Sequence, residues 1–117
     1  MDKLNFVFLI RDDHFWEQLF SHILNLNKQP EKIDKIAVVV VGTGLLSCLR
    51  STKLEPIKSA ISQLSNENVN FYLCINTLSK YGIHENMILP EIDMAREGGL
   101  IKVADFESKG YHTIVLG

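Results

Sequence analysis

Apolar and polar residues follow one another along this chain in blocks whose period changes several times. The strand-like blocks are short and mostly apolar, and the run from Ile36 to Val41 is continuous and β-branched. Continuous rather than alternating apolar runs indicate strands that are covered on both faces. We therefore predict five strands, which cover Leu4 to Ile10, Ile36 to Val41, Val69 to Ile75, Ile92 to Ala95 and Tyr111 to Leu116.

Between these strands, apolar residues recur at spacings of three and four, which is typical of helices with one buried face. The stripes consist of Trp16, Leu19, Phe20, Ile23 and Leu24, then Ile57, Ala60, Ile61 and Leu64, and finally Leu100, Val103 and Ala104. The segment from Asn76 to Met87 shows no such stripe, so we predict a loop with one helical turn there. The alternation predicts an α/β fold, with a mainly parallel five-stranded sheet and helices on both faces.

Length, composition and charge narrow the class of protein. The 117 residues suit a single domain over 1–117, and a content of 46% hydrophobic and 22% charged residues is typical of a globular chain. The formal charge of −2 argues against binding to duplex nucleic acid, which requires clustered basic residues. The apolar runs are too short for a signal peptide or a membrane span, so we expect no membrane partner and a cytoplasmic location with reduced thiols.

The carboxyl ends of the strands are the expected site of chemistry, because ligands of open parallel sheets bind there. This strand-end rule selects five segments: Arg11 to Asp13, Gly42 to Gly44, Cys74 to Thr77, Arg96 to Gly99, and Gly117. Cys74 lies near the end of the third predicted strand and precedes a polar turn with Asn76 and Thr77. Backbone N–H groups of that turn, with Asn76 and Thr77 as further donors, would stabilise the thiolate, which is the nucleophilic form. The alternative from position alone is that Cys74 is a small buried hydrophobic residue, as most free cysteines are.

Two glycine turns are further binding candidates by the same rule: Gly42 with Gly44, and Gly98 with Gly99. The first turn, GTGLLS, nearly matches a dinucleotide-binding fingerprint. However, Ser47 replaces the third glycine, and no acidic residue ends the next strand. We therefore interpret this segment as a tight turn and predict no nicotinamide, flavin or other cofactor.

The other cysteine, the histidines and an acidic pair carry weaker signals. Cys48 lies between apolar neighbours and is interpreted as a packing residue, so a redox pair with Cys74 has no support. The spacing of the four histidines fits no metal site with Cys, Asp or Glu, so no metal is predicted. His84 alone follows Cys74 closely enough to approach the thiol. Helix capping accounts for Asp12 and Asp13.

The stretch around Cys74 resembles the cysteine-centred strand of the DsrE/DsrF-like (YchN-like) family. That family has an aromatic strand followed by Cys, a small residue, Asn and Ser or Thr, where this chain has FYLCINT. Further similar segments are Val38 to Gly44, Leu89 to Ala95, Gly98 to Leu100 and Lys109 to Tyr111. The chain departs from the family pattern at Ile75, where a small residue is usual, and at Val41, where a histidine is often found.

The resemblance implies a three-layer α/β/α fold whose five parallel strands are ordered 4-3-2-1-5. It also implies a homo-oligomer, commonly a trimer or hexamer, and a sulfur-trafficking role in which Cys74 carries sulfane sulfur as a persulfide. A sulfur donor or acceptor protein would be the partner in such a sulfur relay. The competing hypothesis is a non-catalytic oligomeric module of the same fold that binds a small ligand, so the resemblance leaves open whether the chain is a sulfurtransferase. A nucleotide-binding domain that uses Gly42 to Gly44 is a weaker third hypothesis.

Overall fold

The strands of this computed structural model, which describes residues 2–117, form one sheet in which every neighbouring pair is parallel. The strands are β1 (Leu4–Ile10), β2 (Ile33–Val40), β3 (Val69–Cys74), β4 (Ile92–Ala95) and β5 (His112–Leu116). The helices are α1 (Trp16–Asn27), α2 (Glu55–Ser65), α3 (Ile75–Tyr81) and α4 (Gly99–Ser108). The order β4-β3-β2-β1-β5 confirms the predicted α/β fold and the order that the resemblance implied.

The two faces of the sheet are covered by different numbers of helices. On one face, Phe8 and Phe71 belong to a large apolar cluster that includes buried residues of α1, α2 and α3. On the other face, Val39 packs in a smaller cluster with Val103 and Phe106 of α4. Because side chains alternate between the faces of a strand, the two clusters lie on opposite faces of the sheet, and the helices that cover them are the outer layers of a three-layer fold. No helix in the described part of the chain has the length and hydropathy of a membrane span.

The segment after Cys74 differs from its prediction. A loop with one helical turn is predicted from Asn76 to Met87, whereas the chain forms the seven-residue helix α3 and then a short 3-10 helix at Glu85–Met87. α3 ends at Gly82, whose φ of 64° is the left-handed conformation that commonly stops helices. Leu78 anchors α3 in the core and is only 2% exposed. The prediction was wrong because one buried turn is too short to produce a recognisable stripe.

The glycine turn after β2 is longer than predicted and is used for packing. It opens a 3-10 segment, Gly42–Cys48, rather than a single sharp turn. Gly42 has a φ of 59°, and a Cβ atom there would lie 2.9 Å from the carbonyl oxygen of Arg11. The carbonyl oxygen of Gly44 accepts a 3.1 Å hydrogen bond from the indole Nε1 of Trp16. These contacts fix the turn against the ends of β1 and α1.

The remaining boundaries differ from the predicted ones by at most three residues. β2 begins at Ile33 rather than Ile36, since Ile33 pairs with Leu4 across a register shift in β1. β5 begins at His112, one residue later than predicted. β1 and β4 have the predicted bounds. The predicted strand ends are therefore accurate enough to locate the site at the carboxyl edge of the sheet.

Candidate functional site

Three residues form one row across the carboxyl edge of the sheet. The last paired positions are Ile10 with Val40 and Val40 with Leu73. The residues that follow these three positions along the chain are Arg11, Val41 and Cys74, respectively. Since side chains alternate along strands, this row faces the α4 side of the sheet, opposite to the row of Ile10, Val40 and Leu73. The N-terminus of α4 approaches the same row from the loop after β4.

The sulfur of Cys74 lies between the first turns of two helices. Cys74 is the residue that immediately precedes α3 and adopts an extended conformation there. The backbone N–H of Gly99, the first residue of α4, donates a 3.1 Å hydrogen bond to Cys74 Sγ. The residue is only 6% exposed. Helix N-termini carry unpaired N–H groups and partial positive charge, so this position favours a negatively charged sulfur.

These surroundings lower the pKa of the Cys74 thiol below its ordinary value of 9.0. Partial burial alone would raise the pKa, because it disfavours the charged form. Hydrogen bonds from the backbone N–H groups of Thr77, Gly99 and Asn76, together with one from the Thr77 side chain, outweigh that effect. The arrangement therefore increases the thiolate fraction at neutral pH, and thiolate is the reactive form.

Thr77 connects the cysteine to the glycine turn. Its Oγ1 accepts a 3.3 Å hydrogen bond from the backbone N–H of Gly42, and the residue is 7% exposed. A hydroxyl whose oxygen accepts one bond still has its own proton to donate. In Thr77 that proton is available for the sulfur of Cys74, in agreement with the effect of this side chain on the cysteine pKa.

Gly99 is the residue that lets α4 come this close to the sulfur. A Cβ atom at position 99 would lie 2.6 Å from Val41 Cγ1 and 3.1 Å from Cys74 Cβ. Neither neighbour is the end of a long flexible side chain, so any larger residue would displace the helix. The absence of a side chain at Gly99 thus fixes the N–H···S distance.

A cavity of about 600 Å³ opens beside Cys74. Its walls are formed by Leu9, Arg11, Val41, Cys74, Asn76, Glu97, Gly98, Gly99, Leu100, Ile101 and Val115. Most of the walls are apolar, and the charged side chains are those of Arg11 and Glu97. Leu100 and Ile101 are 70% and 59% exposed, so the mouth of the cavity is also apolar. A small molecule that enters this space reaches the thiol directly.

The structure brings together some of the predicted site residues and separates others. Cys74, Asn76, Gly98 and Gly99 all line the cavity. Thr77 contacts the sulfur from the first turn of α3. The predicted binding residues Gly42 and Gly44 are not among the cavity residues. The backbone N–H of Gly42 donates a hydrogen bond to the hydroxyl of Thr77, and the carbonyl oxygen of Gly44 accepts one from the indole of Trp16.

Cys48 and His84 lie away from the thiol of Cys74. Cys48 is fully buried in the cluster on the α1 and α2 side of the sheet, and its Sγ donates a 3.7 Å hydrogen bond to the carbonyl oxygen of Gly44. Burial raises the pKa of its thiol well above the ordinary value, and the nearby charge of Asp13 adds to the rise. His84 is exposed and does not line the cavity. The two thiols are thus on opposite faces of the sheet.

Arg11, Val41 and Glu97 line the cavity but were not predicted as binding residues, although Arg11 and Glu97 lie in segments that the strand-end rule selects. Register places Arg11 and Val41 in the same row as Cys74, because each directly follows the last residue of its strand and these strands are neighbours in the sheet. Glu97 lies in the loop between β4 and α4, whose path the sequence does not give. Among residues 2–117, no three His, Cys, Asp or Glu side chains are grouped as a metal site would require.

Known proteins similar to this chain share its fold. A model of the DsrE/DsrF-like family matches residues 17–116, and no curated protein matches the chain. A solved structure of a protein of unknown function from Methanobacterium thermoautotrophicum has a TM-score of 0.86 and 24% identity, over 97% of this chain and 99% of that chain. A conserved protein of unknown function from Bacteroides thetaiotaomicron has a TM-score of 0.64 and 13% identity, over 94% and 93%.

Proposed function

The chain belongs to the DsrE/DsrF-like family, and from that premise we propose that it is a sulfur carrier that holds sulfane sulfur as a persulfide on Cys74. The observation that carries this proposal is the position of Cys74 Sγ. The sulfur lies 3.1 Å from the backbone nitrogen of Gly99, which donates a hydrogen bond to it. Such hydrogen bonds lower the pKa of the Cys74 thiol. Cys74 also forms part of the wall of the cavity. Thiolate character and access are the two properties that make a cysteine accept sulfur.

The proposed reaction is an exchange at sulfur that needs no added oxidant. The Cys74 thiolate attacks the terminal sulfur of a donor persulfide, R–S–SH, and a Cys74 S–S bond forms. The S–S bond of the donor breaks at the same time, and its electron pair leaves with the donor as the thiolate R–S⁻. The proton of the donor persulfide stays on the transferred sulfur or passes to solvent. Attack by an acceptor thiolate on that sulfur then returns Cys74 to its starting state.

The N–H groups around the sulfur support both half-reactions. They stabilise the thiolate that attacks and the thiolate that is released when sulfur moves on, because both carry negative charge on Cys74 Sγ. A lower thiol pKa also makes Cys74 a better leaving group in the second step. These are the requirements of a carrier, which must accept and release the same atom.

Intact mass tests this function. After incubation with a sulfane donor, the protein is expected to gain about 32 Da, the mass of one sulfur atom, as a persulfide. The Cys74→Ser variant should show no gain, whereas Cys48→Ser should gain as much as the wild type. An unmodified Cys74 in the folded protein would refute the carrier function. The cavity would then indicate the alternative, a non-catalytic module that binds a small ligand.

We also propose that the chain forms a homo-oligomer, a trimer or a dimer of trimers. Support comes from apolar residues exposed around the mouth of the cavity, namely Leu100, Ile101 and Val115, which are 70%, 59% and 51% exposed. Exposed apolar groups of this kind mark contact surfaces. Light scattering at micromolar concentration should give three or six times the 13.3 kDa chain mass, and a monomer would contradict the proposal.

A further inference from the structure

We propose that the cavity beside Cys74 selects a small sulfur donor that carries both a carboxylate and an ammonium group, as an amino-acid persulfide does. In this proposal Arg11 binds the carboxylate and Glu97 binds the ammonium group. The inference rests on the sulfur-transfer function proposed above and names the chemical class of its donor.

The first support is that the two charged residues of the cavity are unpaired. Within residues 2–117 neither Arg11 nor Glu97 takes part in an ion pair. The neighbouring Arg96 does, since its Nη2 lies 2.6 Å from Glu85 Oε1. Charges of opposite sign are therefore available on the wall of one cavity, together with the thiol.

The second support is the position of Arg11 relative to the sulfur. Arg11 and Cys74 belong to the same row at the carboxyl edge, and β2 separates β1 from β3. With strands about 4.8 Å apart, the backbones at these positions are about 10 Å apart. An arginine side chain and a ligand the size of one amino acid can bridge such a gap when the ligand's sulfur meets Cys74.

The third support is that the Arg11 side chain has no part in the fold. The backbone N–H of Arg11 donates a 2.9 Å hydrogen bond to the carbonyl oxygen of Leu116, and its carbonyl oxygen packs against Gly42. No hydrogen bond of the guanidinium is formed within residues 2–117. The backbone of Arg11 therefore contributes to the fold, whereas its guanidinium is available at the cavity. A planar guanidinium is well suited to bind a carboxylate.

The apolar walls strengthen the selection. Leu9, Val41 and Val115 line the same cavity and make its walls largely apolar. Opposite charges attract more strongly beside apolar walls than in bulk water, so a donor that pairs with both charges binds better than one that pairs with either alone. In the transfer, the thiolate attacks the terminal sulfur, the donor S–S bond breaks, and the amino-acid thiolate leaves with the electron pair.

Four donors separate the contribution of each charge. They are the persulfides of cysteine, of cysteamine (no carboxylate), of N-acetylcysteine (no ammonium) and of 2-mercaptoethanol (neither). The rate of the mass gain on Cys74 near neutral pH is measured for each donor over a range of concentrations. The wild type is expected to react fastest with cysteine persulfide, by about threefold to tenfold over each singly charged donor, the range of a solvent-accessible ion pair.

Variants identify the residues. Arg11→Gln should remove the advantage of donors with a carboxylate, by raising the half-saturating concentration while the maximal rate is kept, and Arg11→Lys should restore part of it. Glu97→Gln should remove the advantage of donors with an ammonium group. Arg96→Gln, the matched control in the ion pair with Glu85, should change none of the rates.

The outcomes distinguish this inference from the function on which it rests. If the wild type gains sulfur at equal rates from all four donors, or if Arg11→Gln slows all four equally, the charge selection is wrong and the carrier function stands. If no donor adds sulfur to Cys74 in the wild type, the carrier function fails and the donor class fails with it.

Discussion

The two cysteines lie on opposite sides of one sheet and show how the surroundings of a thiol decide its chemistry. Cys48 is surrounded by the larger apolar cluster, and burial raises its pKa. Cys74 is also only 6% exposed, yet its pKa is lowered, because its sulfur meets N–H groups at the starts of α3 and α4. Burial alone therefore does not make a cysteine inert. What matters is whether the buried sulfur faces hydrocarbon or backbone donors.

The largest expected difference between the two thiols is their rate of alkylation. In the folded protein Cys74 should react with iodoacetamide at least about a hundredfold faster than Cys48, because both thiolate fraction and access favour it. Peptide mapping after timed quenching measures both rates in one sample. Comparable alkylation rates of Cys74 and Cys48 in the folded protein would contradict the claim that their surroundings make the two thiols different. Rates that become equal only in urea would support it.

A second test removes the close approach of α4. Gly99→Ala places a methyl group against Val41 and Cys74, so the helix must move and the 3.1 Å hydrogen bond to the sulfur is lost. A hydrogen bond to a charged group is worth about 1.5–3 kcal/mol, so alkylation of Cys74 should slow by about tenfold or more. Overpacking should also lower the free energy of unfolding by about 1–3 kcal/mol.

Gly110→Ala is a useful control for Gly99→Ala. A Cβ atom at Gly110 meets nothing within 4 Å, although its φ of 90° strains any other residue. That variant should therefore lose stability without slowing the alkylation of Cys74. If both variants slow alkylation equally, general loosening rather than the N–H···S contact controls reactivity.

A smaller effect is expected from the Thr77 hydroxyl. Thr77→Val keeps the shape of the side chain but removes its bond to the sulfur, while the N–H groups of Thr77 and Asn76 remain. We expect alkylation of Cys74 to slow by about threefold and stability to fall by about 1 kcal/mol, since the N–H of Gly42 also loses its acceptor. Thr113→Val removes an exposed hydroxyl that donates a hydrogen bond to Glu107, and it should change neither the alkylation rate of Cys74 nor the stability.

The smallest and most specific effect concerns pH. The folded pKa of Cys74 is lowered, so its thiolate stabilises the fold above the ordinary thiol value of 9.0, and this contribution is lost as pH falls through the folded pKa. Cys48 has a raised pKa, so its contribution is complete below 9.0 and is lost as pH rises above it. Urea unfolding of wild type, Cys74→Ser and Cys48→Ser across pH 7–10 should show these opposite trends. Parallel curves for the two variants would contradict the assignment.

Local patterns were sufficient to predict the sheet, and non-local geometry explains what they missed. Short segments rich in apolar, β-branched and aromatic residues located all five strands, and the polar turn after Cys74 identified the thiol. α3 was missed because its buried residues, Thr77 and Leu78, are too few to make a recognisable apolar stripe. Arg11 lies in a segment that the strand-end rule selects, but it was not assigned to the site of Cys74, because that proximity depends on β1 and β3 both flanking β2, and strand order is not encoded in any short segment.

The pairing of β1 with β5 has a consequence for how the molecule assembles. Phe6 of β1 pairs with His112 of β5, so one edge of β1 stays unpaired until a segment from the far end of the chain is added. Contacts between such distant segments slow folding, and an unpaired strand edge is prone to association with other chains until it is covered. Val115 arrives with that last strand and completes a wall of the cavity. We therefore expect the thiol to acquire its pocket only in the final stage of folding, after the helices that activate it are in place.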